Sequence, residues 1–496
     1  MRAHHLSSLV LSLASLFGAA ACDDAYEPAE LRVRCAASFE QPLRELAEQF
    51  RAETGVPLEF SAGPSLDLAR ELDGGRAADL YLFDDEELAF AARKRGTVRE
   101  VLHLAVVRPV LVAPAGNPAG ITELADIARE ELRVGIPDPE HCGLGLHVRT
   151  SARFIGAWHR TRELADLVVP TEAQLADAVA AGDVDVAVLW DATANRNPAI
   201  ERIEELKLEG HARRMTLAVS TGAPHVADAL CFARWLRSRD RGRPVWEASG
   251  FTCIEGGDDF VRDPQMDVYV AERLRAAAEP ALLEWSRREG STLALTFDSD
   301  DELARRAATD RPEALFLFDD RSFELAGTEY DDREVVSNDP LCLVVYGMNP
   351  EGVEGLSDLT LDGLRVGLLA RESGECGRLA WEELDRLGLG ARLRESALVT
   401  TTNDPRPLLD AVRRKELDVA LLHGTLAGEP TMRNDVMPLL HPAAELQQTF
   451  ALRSAQEYPE LAARLRDSLR TRETNERFFH LGYRWRPRVG AEPTEH

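Results

Sequence analysis

The chain repeats itself. With residues 266 onward laid against residues 31 onward, an offset of 235, Gly55 meets Gly290, Leu68-Ala69-Arg70 meets Leu303-Ala304-Arg305, and Leu82-Phe83-Asp84-Asp85 meets Leu317-Phe318-Asp319-Asp320. Small insertions later, Asn117-Pro118 meets Asn349-Pro350, Arg133-Val134-Gly135 meets Arg365-Val366-Gly367, and Cys142-Gly143 meets Cys376-Gly377. DVAVL at 185–189 meets DVALL at 418–422, and Gly250-Phe251 meets Gly482-Tyr483. Matches kept in one order over some two hundred residues mean duplication. The Gly/Asp-rich stretch 252–265 reads as the join between copies.

Each copy alternates short apolar runs with amphipathic ones. In the first, strands are expected at 31–35, 57–60, 80–83, 107–113, 133–136, 186–189 and 215–220. Helices are expected between them, among them 66–73, 86–94 and 172–181. This is a doubly wound α/β pattern, which binds ligands outside the carboxyl ends of its strands. The first strand ends in small residues, Ala36-Ala37-Ser38, and a helix follows with Leu43, Leu46, Ala47 and Phe50 on one face. Such a turn gathers free backbone N–H groups and the positive end of the helix dipole on one point, which suits an anion. Ser38 is expected there as N-cap, with a hydroxyl to spare.

Residues 1–21 carry Arg2, an apolar run from Leu9 to Phe17 and small residues up to Cys22. The run is too short to span a bilayer and reads as an export signal. Ala19-Ala20-Ala21-Cys22 resembles a bacterial lipoprotein cleavage site, which implies acylation of Cys22 and a membrane anchor; an ordinary secretory signal is the alternative. The expected division is 1–21 lipoprotein signal peptide, 22–30 tether, 31–255 first module, 256–265 linker, 266–485 second module and 486–496 tail. Localisation in the periplasm or cell envelope follows.

A formal net charge of −27 argues against nucleic acid or anionic lipid as a partner. It leaves a small anion open, because neutral donors can hold one locally. The cysteines past Cys22 show no CxxC or His/Cys metal spacing. Cys231 with Cys253 is the favoured disulfide, with two buried thiols the alternative. The acidic run FDSDDE at 297–302 lacks the glycine and distal glutamate of a calcium loop and reads as a solvated turn. No metal or cofactor is expected. GxSxG, HExxH and GxxxxGK[ST] are all absent, so catalysis is not expected.

The first copy resembles the type II periplasmic solute-binding proteins, and most nearly their molybdate-binding subfamily of ABC importers. The pieces that carry the resemblance are Ala36–Ser38, GPSLDLAREL at 63–72, ADLYLFDD at 78–85, DPEHCGLG at 138–145 and VAVLWDA at 186–192. It implies α/β architecture with two tandem modules, each of two doubly wound lobes around a cleft. One lobe of the first module would be 31–108 plus 214–255 and the other 109–213. It also implies an oxyanion held by hydroxyls and backbone N–H groups. Ser38 and Ser65 match serine ligands, with simple N-capping as the alternative. Leu144 and Glu172 match backbone donors, and Trp190 stands for a ligand tyrosine. The Glu172 carboxylate is expected to face solvent, where it favours its own helix N-terminus.

In the second copy Arg273 stands at the Ser38 position, Asp300 at the Ser65 position and His423 at the Trp190 position. Arg273 could recognise a carboxylate or phosphate, or pair with Asp300 and close an empty site. The expected function is a membrane-tethered receptor that captures a small oxyanion for an ABC permease. A non-transport receptor with degenerate clefts, or a binder of a small organic anion, is the alternative.

Overall fold

The computed structural model describes residues 30–75, 78–154, 158–206, 212–318, 320–347, 349–427, 434–438 and 445–483. The expectations for residues 1–29, Cys22 included, and for 484–496 lie outside the described residues.

Among the described residues, the strands of the first module are β1 (Leu31–Ala36), β2 (Leu58–Gly63), β3 (Leu80–Phe83), β4 (Val98–Val107), β5 (Pro109–Pro114), β6 (Val134–Pro137), β7 (Ala165–Val169), β8 (Val186–Trp190), β9 (Ile200–Glu205), β10 (Arg213–Ser220) and β11 (Thr252–Cys253). They form two sheets, ordered β11-β4-β10-β3-β1-β2 and β7-β6-β8-β5-β9. β1 is parallel to β2 and β3, while β10 runs antiparallel to β3 and β4. The sheets are the two lobes of the resemblance, at nearly the expected boundaries. The run expected as one strand over 107–113 is two strands in different sheets. Only Arg108, half-buried, interrupts its apolar residues, and the break falls there, before Pro109, which has no N–H to donate to a ladder.

The second module holds β12 (Gln265–Ala271), β13 (Thr292–Asp298), β14 (Ala314–Leu317), β15 (Asp332–Tyr346), β16 (Val366–Leu369), β17 (Val399–Thr402), β18 (Val419–His423), β19 (Asn434–Pro438) and β20 (Glu445–Leu452). Here one sheet runs β13-β12-β14-β20-β15-β18-β16-β17, with β19 also on β15. β15 is unbroken over 15 residues. It pairs with β20 through Pro340 and with β18 from Leu341 onward, so one strand serves both lobes.

Fine details repeat between the copies. Asp185 accepts the Arg133 backbone N–H and both arms of its guanidinium, and Asp418 does the same for Arg365. Asn117 and Asn349 both adopt positive φ, and each side chain closes its own turn onto the residue four positions later. Trp246 packs on Phe251 at 5.4 Å between ring centroids, and Phe478, at the matching position, on Tyr483 at 5.3 Å.

The modules meet through a buried ionic seam. Arg464 bonds Glu289 and lies 3.9 Å from Glu100 of the first module. Arg288 pairs with Glu100, and Arg234 lies 3.7 Å from Glu289. Arg237 reaches Glu460 at 2.7 Å, and Asp258 accepts the N–H groups of Glu460 and Leu461 at the start of the helix Pro459–Ser468. Among the described residues no helix is long and apolar enough to cross a membrane.

The favoured Cys231–Cys253 disulfide is not formed; both are free thiols. Cys231 is buried in the helix Val226–Arg237, while Cys253 sits on the edge strand β11 with its sulfur 3.9 Å from the Arg243 carbonyl. Burial pushes the two thiols up to about 11 and about 12, which keeps them protonated.

Candidate functional site

β1 leads into a short turn of helix, Ala37–Phe39, before the main helix Glu40–Thr54 begins. That turn moves Ser38 out of the capping position: the main helix is preceded by Phe39 and has no side-chain cap. Ser38 is 3% exposed and faces the cleft. β2 likewise ends at Gly63-Pro64, and Ser65 opens the helix Ser65–Asp73 without capping it. Simple capping therefore explains neither serine.

From the other lobe, Pro170, Thr171 and Glu172 bring the start of the helix Glu172–Ala181 to the same place. Ser38, Ser65 and Glu172 line one cleft together with Asp84 and Cys142, around a space of about 180 Å³. That space includes the opening to solvent; its enclosed part is about 10 Å³, room for little more than one water, so an anion of several heavy atoms enters as the lobes part. The lobes touch across the cleft mouth. Leu66 N–H donates to the His141 carbonyl at 3.0 Å, Asp67 meets His141 at 2.9 Å, and Arg70 donates to the Glu140 carbonyl at 2.7 Å.

Leu144 and Trp190 lie behind this lining. The N–H groups of Leu144 and Gly145 face the Cys142 sulfur. The Trp190 indole donates to Asp84 at 3.3 Å and stacks on His147 at 6.1 Å.

The expectation that Glu172 faces solvent is overturned. It is 3% exposed, and its Oε1 accepts the Trp190 backbone N–H at 2.7 Å. Trp190 ends β8, and its N–H needs an acceptor in the interior; that need outweighs the outward pull of water on the carboxylate. Burial pushes Glu172 up to about 7, against the opposing charge of Arg196. Asp84, which sequence reasoning did not single out, is buried and raised by desolvation, against hydrogen bonds from Ser65 and Trp190. Its signal was present: Asp84 belongs to the LFDD run that the duplication repeats.

Two glycines let the wall close. A Cβ on Gly143 would lie 2.4 Å from Asp84 Oδ1, and one on Gly145 would lie 2.6 Å from the Pro137 carbonyl oxygen. Backbone cannot yield as a side chain can. Gly145→Ala is therefore expected to cost about 1–3 kcal/mol and to displace the Cys142 turn; thermal unfolding of the variant beside the parent checks this.

In the second module the corresponding side chains fill their own cleft. The Arg273 guanidinium lies over the Phe318 ring at 4.0 Å, contacts the Cys376 sulfur, and is held cationic, despite burial, by Cys376, Asp300 and Asp339. Asp300 accepts the Phe318 N–H at 2.7 Å. His423 is fully buried and lowered by desolvation and by Arg273 to about 3, which keeps it neutral. Arg273 thus turns onto Cys376 and Phe318 of its own module, and Asp300 acts on it through charge.

Two tandem α/β modules, each built as lobes on either side of a cleft, are the architecture of a solute receptor. The chain belongs to the bacterial extracellular solute-binding proteins, whose family description matches residues 31–252 and again 266–484. It is similar to the molybdate-binding protein ModA of Escherichia coli, 30% identical over 26% of this chain and 53% of that one. It is also similar to ModA of Mycobacterium tuberculosis, at 33% over 22% and 44%. A putative binding protein of Haemophilus influenzae is 23% identical over 33% of this chain and 66% of its own. The chain thus spans about half to two thirds of the length of these relatives. Among solved structures, the periplasmic molybdate-binding protein of Azotobacter vinelandii is similar at a TM-score of 0.39 and 18% identity, covering 45% of this chain and 100% of that one. The sulfate-binding protein SubI of M. tuberculosis is similar at 0.40 and 19%, covering 46% and 88%.

Proposed function

We propose that this protein is a receptor outside the cytoplasm, anchored to the membrane by acylation of Cys22, that captures a small oxyanion of the molybdate or tungstate kind for an ABC permease. The binding site is the first cleft. One observation carries the reading: Ser38, Ser65 and the start of the helix Glu172–Ala181 converge from two lobes on one small space. Hydroxyls and free first-turn N–H groups stabilise a compact anion without a cationic side chain. The relatives named as molybdate-binding proteins support the substrate class. The Cys22 anchor and the permease rest on the sequence and on the family.

Calorimetric titration with molybdate, tungstate, sulfate and phosphate tests the reading. Binding of at least one is expected, with Ser38→Ala and Ser65→Ala each weakening it about tenfold, the effect of losing one hydrogen bond to a charged group. No heat with any of the four ends the oxyanion reading. A second reading, in which the chain has lost transport and serves as a receptor for another protein, is favoured only by the self-filled cleft of the second module. Heat with none of the anions, together with capture of a partner protein, would favour it.

A further inference from the structure

The first cleft holds more negative charge than a bare dianion tolerates. Asp84 is 1% exposed and Glu172 3%, and both line the space where the ligand would sit. On the protein, Asp84 Oδ2 accepts the Trp190 indole, with Ser65 also bonded to this carboxylate, and Glu172 Oε1 accepts the Trp190 backbone N–H, with Thr193 beside it. The other oxygen of each, Asp84 Oδ1 and Glu172 Oε2, is buried with no hydrogen-bond partner. Two orphaned acceptors in one cleft ask for donors.

We propose that the first cleft takes its oxyanion together with a proton, an O–H lying between the bound anion and the Asp84–Glu172 pair. This rests on the anion reading of the cleft and names the kind of anion that fits it best: one that carries its own acidic hydroxyl, as hydrogen phosphate does. An anion without one, such as sulfate or molybdate, binds only as the pair draws a proton from solvent. In either case the hydroxyl satisfies an orphaned oxygen and removes the repulsion between like charges.

The surroundings are consistent with shared protons. Around Asp84 stand Ser65 on the helix Ser65–Asp73, the Trp190 indole, the Cys142 thiol and the neighbouring Asp85, which has Arg213 of β10 at 3.7 Å. Around Glu172 stand Arg196 of the helix Asp191–Arg196, Thr193, Cys142 and Asp84 itself. Burial strips both carboxylates of water and favours their protonated forms, while Arg196, the Trp190 N–H and Thr193 oppose it at Glu172 and Ser65 and the Trp190 indole oppose it at Asp84.

The purified full-length protein is titrated with sulfate, molybdate and phosphate at about pH 6 and pH 8, each in two buffers of different ionisation enthalpy. For sulfate and molybdate the affinity is expected to fall about tenfold per pH unit through neutrality, with close to one proton taken up per anion. Phosphate, which brings its proton, is expected to bind at least tenfold tighter than sulfate at pH 8. In Glu172→Gln combined with Asp84→Asn the pH dependence for sulfate disappears. Sulfate and molybdate bound equally at both pH values, without proton uptake, overturn the proposal and leave the anion reading standing. No heat from any anion at either pH overturns both. If the double variant does not fold, the parent protein's pH and buffer comparison decides alone.

Discussion

Replacing Arg464 by Met is expected to destabilise the protein by about 3–5 kcal/mol, the usual cost of removing one member of a buried ionic group. Arg464 meets carboxylates from both modules, Glu289 and Glu100. Burial opposes its charge, but those two carboxylates outweigh the burial and push its pKa up. Without it, Glu289, only 2% exposed, keeps Arg234 at 3.7 Å as its remaining counter-charge, and Glu100 keeps Arg288. Urea unfolding followed by circular dichroism measures the loss. Adding Glu289→Met to Arg464→Met is expected to recover part of it, because the buried carboxylate is gone and Arg234 keeps the carbonyls of residues 289 and 262 as acceptors. A loss under about 1 kcal/mol in the single variant would mean that the seam contributes orientation and little stability.

The second large effect is on pH. Burial raises Glu172 and Asp85 to about 7 and Asp339 to about 6. A carboxyl whose folded pKa lies above its unfolded value contributes stability below the unfolded value, near pH 4, and loses it as pH rises through the folded one. Two buried histidines act oppositely: His103 is lowered to about 4 and His423 to about 3, so their contribution is present above pH 6.5 and is lost on acidification. The two sets offset each other between about pH 4 and 6. From pH 6 to 8 the carboxyls lose most of their contribution while the two histidines gain the last part of theirs, as the unfolded imidazoles titrate near 6.5. At about 1.4 kcal/mol per pKa unit for each group the carboxyl loss is the larger, and stability is expected to drop by about 1–2 kcal/mol across that interval. Thermal unfolding at pH 6 and pH 8 measures the drop. Glu172→Gln, whose amide oxygen can keep the Trp190 N–H, is expected to be more stable than the parent at pH 8 and to show a shallower slope. A melting temperature that is flat or rising over the interval would contradict the carboxyl assignment.

The duplication was legible because its early matches need no gap, and β1, β2, β3, β5, β6, β8 and β10 because each is a short apolar run closed by small or turn-forming residues, whereas β4, β7, β9 and β11 escaped. The serines were legible because small residues at a strand end leave room for a ligand. What escaped was direction. Asp84 and Asp85 are identical neighbours in sequence. Asp85 accepts the Glu87 N–H at 3.0 Å at the start of a helix, while Asp84 turns inward against Gly143. No local rule separates the two. Glu172 escaped for a related reason: an acidic residue in a first helical turn stabilises that helix from outside, and only the approach of β8, distant in sequence, gives the carboxylate a reason to face in. The break at Arg108 escaped because an apolar run looks the same whether it stays in one sheet or passes to another.

The unbroken β15 gives the two halves different mechanical character. In the first module, rotation of one lobe against the other can be absorbed at Arg108, where β4 ends and β5 begins in a separate sheet. In the second, the same rotation must bend a strand that is laddered on both flanks, to β20 over one stretch and to β18 and β19 over the next. Rotation of one lobe against the other on binding a ligand is therefore expected in the N-terminal half, with the C-terminal half as the stiffer partner because one strand runs through both of its lobes.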